Sequence, residues 1–403
     1  MKPLLLSLLA LIMVGCSAPS PDEFVIWHGY RGAERAALEE VLALYNEQTD
    51  GPPVRALAVP FDAYADKLSA ALPRGRGPDL FVFGHDRLGG WVEGSDAIDP
   101  IGFYLSEADK ERFLPNMLEA MTYRGQVYGL PLNFKSIALI RNTALAPEAP
   151  LDTHDLVSMA EDLTNPDRNQ FGLAYEFANP DMHAALMNGF GGGVFDDAGT
   201  VALNRPENVA AFDLLLHWQN EASILLPEPT GALVLSVFNT GKTPFVISGP
   251  WFLSEVAPEI EVGISPLPNI VEAGGAPIQP WIFIEGIFVT RTSRDPQRAF
   301  EIAQFITSET GQTVMAEMGR QLPAATAVWE QSSISEDPVA AGFRAQMEQG
   351  APMPNIPELA LFWSPADVAM DQVLRSGRAP TDALAEAQTK MTAAIDALRE
   401  QDR

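Results

Sequence analysis

The sequence predicts an α/β protein built from more than one compact unit. Two observations carry this: strands and helices alternate as βαβαβ over the first ninety residues, and 403 residues exceed what one core usually holds. A third narrows it. No segment after the first sixteen residues offers the ~18 uninterrupted apolar residues expected of a membrane-crossing helix.

Taken in order, the chain opens with Lys2, an apolar run from Leu4 to Val14, and Gly15-Cys16. That run is short of the ~20 residues a bilayer requires, so 1–15 is expected to be a secretory signal peptide. Met13-Val14-Gly15-Cys16 resembles a bacterial lipobox, with Met13 where the pattern prefers leucine, and it implies cleavage before Cys16 and acylation of that residue. Residues 16–21, rich in Ser and Pro, then form a lipid-anchored tether. Cys16 is the only cysteine, which rules out an intramolecular disulfide and suits a dedicated anchor.

Phe24 to Trp27 reads as a buried strand, and Leu38, Val41, Leu42 and Tyr45 follow at helical spacing. Val54 to Val59 is the second strand, Ala63 to Leu72 the second helix, and Asp79 to Phe83 the third strand, entered through Gly77-Pro78. This order implies a parallel sheet covered on both faces. Pro206, Val209, Phe212 and Leu216 mark a helix, and Thr243 to Ser248 a strand leading into Gly249-Pro250-Trp251. Asp295-Pro296 caps a helix buried through Ala299, Ile302, Ala303 and Ile306. The chain ends in an amphipathic helix through Leu384, Met391, Ile395 and Leu398.

In open α/β sheets ligands sit beyond the carboxyl ends of the strands. Here those positions hold His28-Gly29-Tyr30-Arg31 and Gly84-His85-Asp86-Arg87. A net charge of −27 excludes nucleic acid and an anionic membrane surface as direct partners. No Gly-x-Ser-x-Gly elbow is present, Gly189 to Gly193 lacks the lysine of a phosphate loop, and His28, His85, His154, His183 and His217 are scattered. No metal and no cofactor are therefore expected. Carboxylate pairs able to hydrolyse glycosides can come from anywhere in so acidic a chain, so their abundance decides nothing. Tryptophans 27, 251, 281 and 363 follow strands or lie near loops, where an indole can stack on the C–H face of a sugar ring while Asp and Arg take its hydroxyls. Core packing is the competing role for each of them taken singly.

The run Gly77-Pro78-Asp79-Leu80-Phe81-Val82-Phe83-Gly84-His85-Asp86-Arg87-Leu88-Gly89-Gly90-Trp91 resembles the maltose/maltodextrin-binding proteins of bacterial sugar ABC transporters. Ser248-Gly249-Pro250-Trp251 and Met353-Pro354-Asn355-Ile356-Pro357 through Phe362-Trp363 are similar to two further segments of that family, in the same order. The resemblance implies a two-lobe periplasmic-binding-protein fold, each lobe a mostly parallel sheet flanked by helices, joined by a hinge of several strands. Lobe 1 would comprise 22–133 and 284–322, and lobe 2 134–283 and 323–403. It also implies a monomer that closes on an oligosaccharide without catalysis. That monomer would dock on ABC permease subunits in a periplasm or at the outer face of the cell membrane, touching the membrane only through its anchor.

By position, the resemblance assigns Asp86 and Arg87 to sugar hydroxyls, Trp251 and Trp363 to stacking, Phe83 to a family tryptophan, Arg31 to a family lysine and Asp66 to a family acid. Lys135 stands at an acidic ligand position and Asp367 at an arginine position, which suggests a reversed pair across the cleft. Asn179-Pro180-Asp181-Met182-His183 occupies the second-lobe acid and tyrosine segment, placing His183 where an aromatic ring would stack. Three rivals remain open at this point: a secreted glycoside hydrolase, a binder of the same fold for a polyamine or anion, and a structural envelope lipoprotein.

Overall fold

The computed structural model describes residues 23–94, 97–114 and 116–401. The signal peptide, Cys16 and the tether lie outside them. Strand Phe24–His28 sits between Val54–Ala58 and Leu80–Gly84, parallel to both. Helix Gly32–Gln48 turns Ala37, Leu38, Val41, Leu42 and Tyr45 inward, as the spacing requires. All five residues of Leu80–Gly84 are buried, the mark of a central strand covered on both faces.

Beyond this N-terminal unit the sheet changes character. Strand Trp281–Val289 pairs antiparallel with Leu80–Gly84 on one side and with Gly129–Lys135 on the other, and Leu322–Pro323 adds an antiparallel edge. The second sheet runs Val262–Ser265, Ala138–Asn142, Phe245–Ser248, Leu173–Ala174, and only its last pair is parallel. The expectation of mostly parallel sheets thus holds for residues 24–84 alone. The cause is the crossing chain: strands 129–135 and 281–289 pass between the sheets in opposite directions, so they pair antiparallel where they meet.

Both faces of the second sheet are covered. Leu139, Leu173, Phe245 and Ile247 face a core shared with helices Pro180–Gly189, Pro206–Leu216, Trp363–Leu374 and Pro380–Gln401, while Ala138, Ile140, Ala174 and Val246 face the other way, toward Val234, Val237 and Phe343. This alternation has the period of two that a strand imposes. Asp295 caps helix Pro296–Ile306 as expected, its carboxylate accepting from the Arg298 amide at 3.1 Å.

The chain passes between the sheets at 135–138, again between Ser265 and Trp281, and a third time beyond Ser335. The expected division at 322/323 is corrected by the packing. Leu322–Pro323 pairs with the first sheet, and Gln331 hydrogen-bonds Thr313 and Glu309 of helix Glu309–Gly319, so 323–335 stays with the first lobe. Only from helix Pro338–Met347, laid against Val262–Ser265, does the chain rejoin the second. Trp329 holds this segment there, stacking on Phe134 with ring centroids 6.1 Å apart while its Nε1 donates to the Pro323 carbonyl at 2.8 Å.

Candidate functional site: an aromatic and acidic cleft between the lobes

A cavity of about 480 Å³ opens where the strand ends of the two lobes face each other. Gly29, Tyr30, Arg31, Glu34, Phe83, Gly84 and Asp86 are in its first-lobe wall, Asp181 and Trp251 come from the second lobe, and the crossing segments add Lys135, Trp281, Phe283 and Glu285. Met353 and Trp363 complete it.

Strand Leu80–Gly84 ends in a tight turn through His85-Asp86-Arg87. A Cβ at Gly84 would meet the Phe283 ring at 1.9 Å and Asp86 Oδ1 at 2.6 Å, so any larger residue would push both side chains from their places at the cleft. His85 is a buried spacer. The Ile284 amide donates to its Nδ1 at 3.1 Å and its Nε2 donates to the Met353 carbonyl at 2.9 Å, while burial pushes its pKa down and keeps it neutral. It thereby fastens the 353–355 strap to the strand that presents Asp86, and the Gly89 amide adds a bond to the Asn355 carbonyl at 3.1 Å.

Asp86 lies half-buried at the cleft wall. Its Oδ2 meets Arg87 Nε at 3.3 Å, while Oδ1 has no hydrogen-bond partner among the described residues. Burial raises its pKa, against the opposing pull of His85 and Arg87. Asp181 enters from the opposite lobe in the first turn of helix Pro180–Gly189, and burial, reinforced by the charge of Asp86, raises its pKa to about 6. Two carboxylates, one from each lobe, therefore face a common space. Each is an acceptor awaiting hydroxyl donors.

The aromatic side is stepped. Trp281 and Trp363 meet edge to face at 6.0 Å, and Phe362 buttresses both. Trp251 stands at the lip, 42% exposed, on the one-turn helix Pro250–Leu253. Its indole folds back over Gly249, where a Cβ would lie 2.1 Å from the ring. Phe83 presents an edge to the cleft but is mainly core, packed on Tyr64 and Trp91 at 5.2 Å each.

Lys135 departs most from expectation. Its Nζ lies 3.1 Å from Glu34 and 3.3 Å from Glu285, whose Oε2 also accepts from the Tyr30 hydroxyl at 2.9 Å. Asn133 Nδ2 donates to the same hydroxyl and to Gln321 Oε1, each at 2.9 Å. Burial works to lower the Lys135 pKa, but Glu285 and Glu34 outweigh it and the net shift is upward. The reversed pair with Asp367 is not formed: Asp367 is exposed on helix Trp363–Leu374 and outside the cavity lining. Glu34 and Glu285 already satisfy Lys135.

Of the other expected residues, Arg31 lines the cleft, and Arg87 reaches it only by flanking Asp86, its side chain 40% exposed. Asp66 and His183 are misplaced for the same reason. Each sits two positions from a cleft residue on a helix, Tyr64 and Asp181, and two positions turn a side chain by roughly 200°. Asp66 faces solvent; His183 is 2% exposed against Phe212, ring centroids 4.2 Å apart, with burial lowering its pKa to about 3. Trp27 also points elsewhere, under Lys67 Nζ at 4.4 Å.

Glu34, Tyr64, Phe283 and Glu285 also line the cleft without a motif to announce them, while Tyr30 and Asp181 fall in the post-strand and 179–183 segments already singled out. A lone glutamate inside the apolar run 281–289 was a usable signal for Glu285, and the first turn after a strand was one for Glu34. Among the described residues no group of His, Cys, Asp and Glu is arranged to hold a metal ion, and no helix is long and apolar enough to cross a membrane.

Two lobes, three crossings and a cleft walled by both lobes define a hinged solute-binding protein. A family profile for bacterial extracellular solute-binding proteins matches residues 40–342, and the chain belongs to that family. It is 26% identical over 357 residues to a maltotriose-binding protein of Pyrococcus abyssi, covering 87% of this chain and 77% of the relative. It is 23% identical over 392 residues to a maltooligosaccharide ABC transporter solute-binding lipoprotein of Streptococcus pneumoniae, covering 89% and 88%. Among solved structures, a cyclo/maltodextrin-binding protein complexed with maltotetraose superposes with a TM-score of 0.82 at 30% identity, covering 94% of this chain and 98% of that one.

Proposed function

We propose that this protein captures an α-linked glucose oligosaccharide in the interlobe cleft and hands it to the permease of an ABC importer. One observation carries the reading: an aromatic staircase of Trp251, Trp281 and Trp363 faces Asp86, whose Oδ1 lacks a partner, with Asp181 approaching from the other lobe. Sugar rings need such a combination, apolar faces for their C–H bonds and acceptors for their hydroxyls. Because the wall comes from both lobes, a bound sugar makes contacts that exist only when the lobes are together, and it shifts the population toward the closed form. The relatives named for maltotriose and maltooligosaccharides support this choice of sugar. The lipobox at Cys16 fits a protein held at the outer face of a membrane, and no second copy is needed to complete the cleft.

Calorimetric titration of residues 23–403 with maltose, maltotriose, lactose, spermidine and citrate tests the reading. Saturable binding of the α-glucosides is expected; binding of only the amine or the anion overturns it. Two facing carboxylates are also what a glycoside hydrolase requires. Incubation with maltoheptaose should return the sugar intact, and release of shorter sugars would replace binding by catalysis.

A further inference from the structure

The first lobe has a face opposite the cleft. Strands Phe24–His28 and Leu80–Gly84 run toward the cleft, so both begin at this face, and the antiparallel strand Trp281–Val289 ends there. Arginines collect around it. Arg55 meets Glu23 at 3.2 Å and Arg291 meets Asp99 at 3.0 Å, while Arg294 lies 3.4 Å from Asp79 and over the Phe24 ring. Arg298 lies against Gly51 and, with Phe24 and Arg294, lines an open hollow of about 580 Å³. The exposed turn Pro73-Arg74-Gly75-Arg76 adjoins them, since a Cβ at Gly75 would be 3.7 Å from the Thr292 methyl.

Two features set this face apart on an acidic chain. Glu23, Asp50, Asp79, Asp99, Asp295 and Glu301 balance its arginines, which leaves it near neutral on a protein of net charge −27. Arg74 and Arg76 are in no ion pair among the described residues, and Arg74 donates only to the Ala70 carbonyl, at 3.0 Å. Phe103 is the second feature, 75% exposed on the turn Gly102–Tyr104, its ring 4.0 Å from that of Tyr104, which stacks in turn on Phe300. The Arg291 amide donates to the Ala97 carbonyl at 2.9 Å and ties this loop to the face. One exposed ring is ordinary by itself. Beside two arginines without carboxylate partners, it makes a surface suited to lipid headgroups.

The chain also brings this face to a membrane. Only residues 16–22 separate Cys16 from the described strand, and seven residues extend to at most about 25 Å. An acyl group on Cys16 therefore keeps the face where Phe24 begins close to the bilayer. The total charge does not oppose contact, because the Debye length is about 8 Å at physiological salt and headgroups respond to the charges nearest them.

We propose that this face rests on the anionic lipid headgroups around the anchor, with Arg74, Arg76 and Phe103 making the contact. The exclusion of an anionic membrane drawn from net charge thus holds for the chain's average and not for this face. Held so, the cleft points away from the bilayer, toward solution. The inference rests on the reading of Cys16 as acylated and is independent of the sugar.

Residues 16–403, with Cys16 coupled to a maleimide bearing one myristoyl chain, test this by co-sedimentation with vesicles. One such chain alone binds marginally, at about 10⁴ M⁻¹, so added contacts are measurable. Partition should be about tenfold stronger on phosphatidylcholine vesicles holding about 30% phosphatidylglycerol than on phosphatidylcholine alone, and about 1 M salt should erase the difference. Arg74→Gln combined with Arg76→Gln should lose about tenfold on the anionic vesicles and stay within about twofold on the neutral ones. Phe103→Ser should lose about threefold on both. All three side chains are exposed, so unfolding midpoints should not move, and Arg76→Gln alone serves if the pair disturbs folding. Arg168→Gln, at an exposed position of the second lobe, should change nothing. Equal partition of parent and double variant on anionic vesicles, or an equal loss in Arg168→Gln, overturns the contact alone. Mass spectrometry of the full-length chain processed in a bacterial host checks the anchor separately; an unmodified Cys16 overturns that reading and the inference with it.

Discussion

Glu285, buried, and Asp86, half-buried, are both carboxylates on the first-lobe side of the cleft, yet their surroundings are opposite. Glu285 receives the Tyr30 hydroxyl and faces Lys135, which Glu34 also braces. Asp86 has one oxygen beside Arg87 and the other without a partner, and the carboxylate across from it, Asp181, adds repulsion. One end of the cleft is internally paired; on the proposed sugar-binding reading, the other is completed by the ligand. A buried polar group is stable when paired and costly when not, so the finished end belongs to the scaffold and the unfinished end to binding.

The largest expected effect comes from breaking the finished end. Lys135→Met removes the one cation between Glu34 and Glu285 and leaves two partly buried carboxylates facing each other. Uncompensated charge of this kind costs about 3 kcal/mol. Chemical denaturation of the unliganded protein should show that loss, and an unchanged midpoint would mean the cluster is not structural.

Next comes the aromatic side. Trp251→Ala and Trp363→Ala should each weaken sugar binding by about 2 kcal/mol, roughly thirtyfold. For Trp251, already 42% exposed, the melting temperature should barely move. If stability fell with affinity at Trp251, the lip would be scaffold as well.

Asp181→Asn sharpens the comparison with a sign that distinguishes binding from scaffold. In the folded protein Asp181 titrates at about 6, above its ordinary carboxylate value. A raised folded pKa means the proton is held more tightly when folded, so its contribution is fully favourable below the unfolded pKa and is lost as pH rises through about 6. Asp181→Asn should therefore stabilise the free protein by about 1–2 kcal/mol at pH 7.5 and by no more than about 0.5 kcal/mol at pH 4, while weakening sugar binding. The comparison must be made against the parent protein at each pH. His28 and His183, lowered to about 4 and about 3, contribute stability that is full above their unfolded pKa and lost as pH falls toward those values, in both forms alike.

The elements were legible where one physical signal dominated. The helix through Leu38, Val41, Leu42 and Tyr45, the Asp295 cap and the strand before Asp86 all follow from local spacing and capping. Strand direction outside residues 24–84 was not, because it depends on the order in which the chain crosses between lobes. In the site, motif position placed Asp86, Trp251 and Trp363 in the cleft, since each follows a tight turn that fixes its direction. Asp66 and His183 failed because proximity in sequence on a helix says nothing about its face. Glu34 and Glu285 lie 251 positions apart and are joined only through Lys135, a contact the sequence does not announce.

The smallest expected effect concerns Asp367, and it separates two accounts of Lys135. Were the two charges a reversed pair across the cleft, removing either would strand the other, and a double-mutant cycle on sugar affinity would show coupling of about 1 kcal/mol or more. The structure instead gives Lys135 two carboxylate partners and leaves Asp367 in solvent, one helical turn beyond Trp363. Asp367→Ala should then change stability by less than about 0.5 kcal/mol. Its effect on affinity should add to that of Lys135→Ala, since charges without a shared partner do not couple appreciably. Coupling in the liganded state alone would mean that closure brings Asp367 onto Lys135 in exchange for Glu34, making the finished end of the cleft part of the moving machinery.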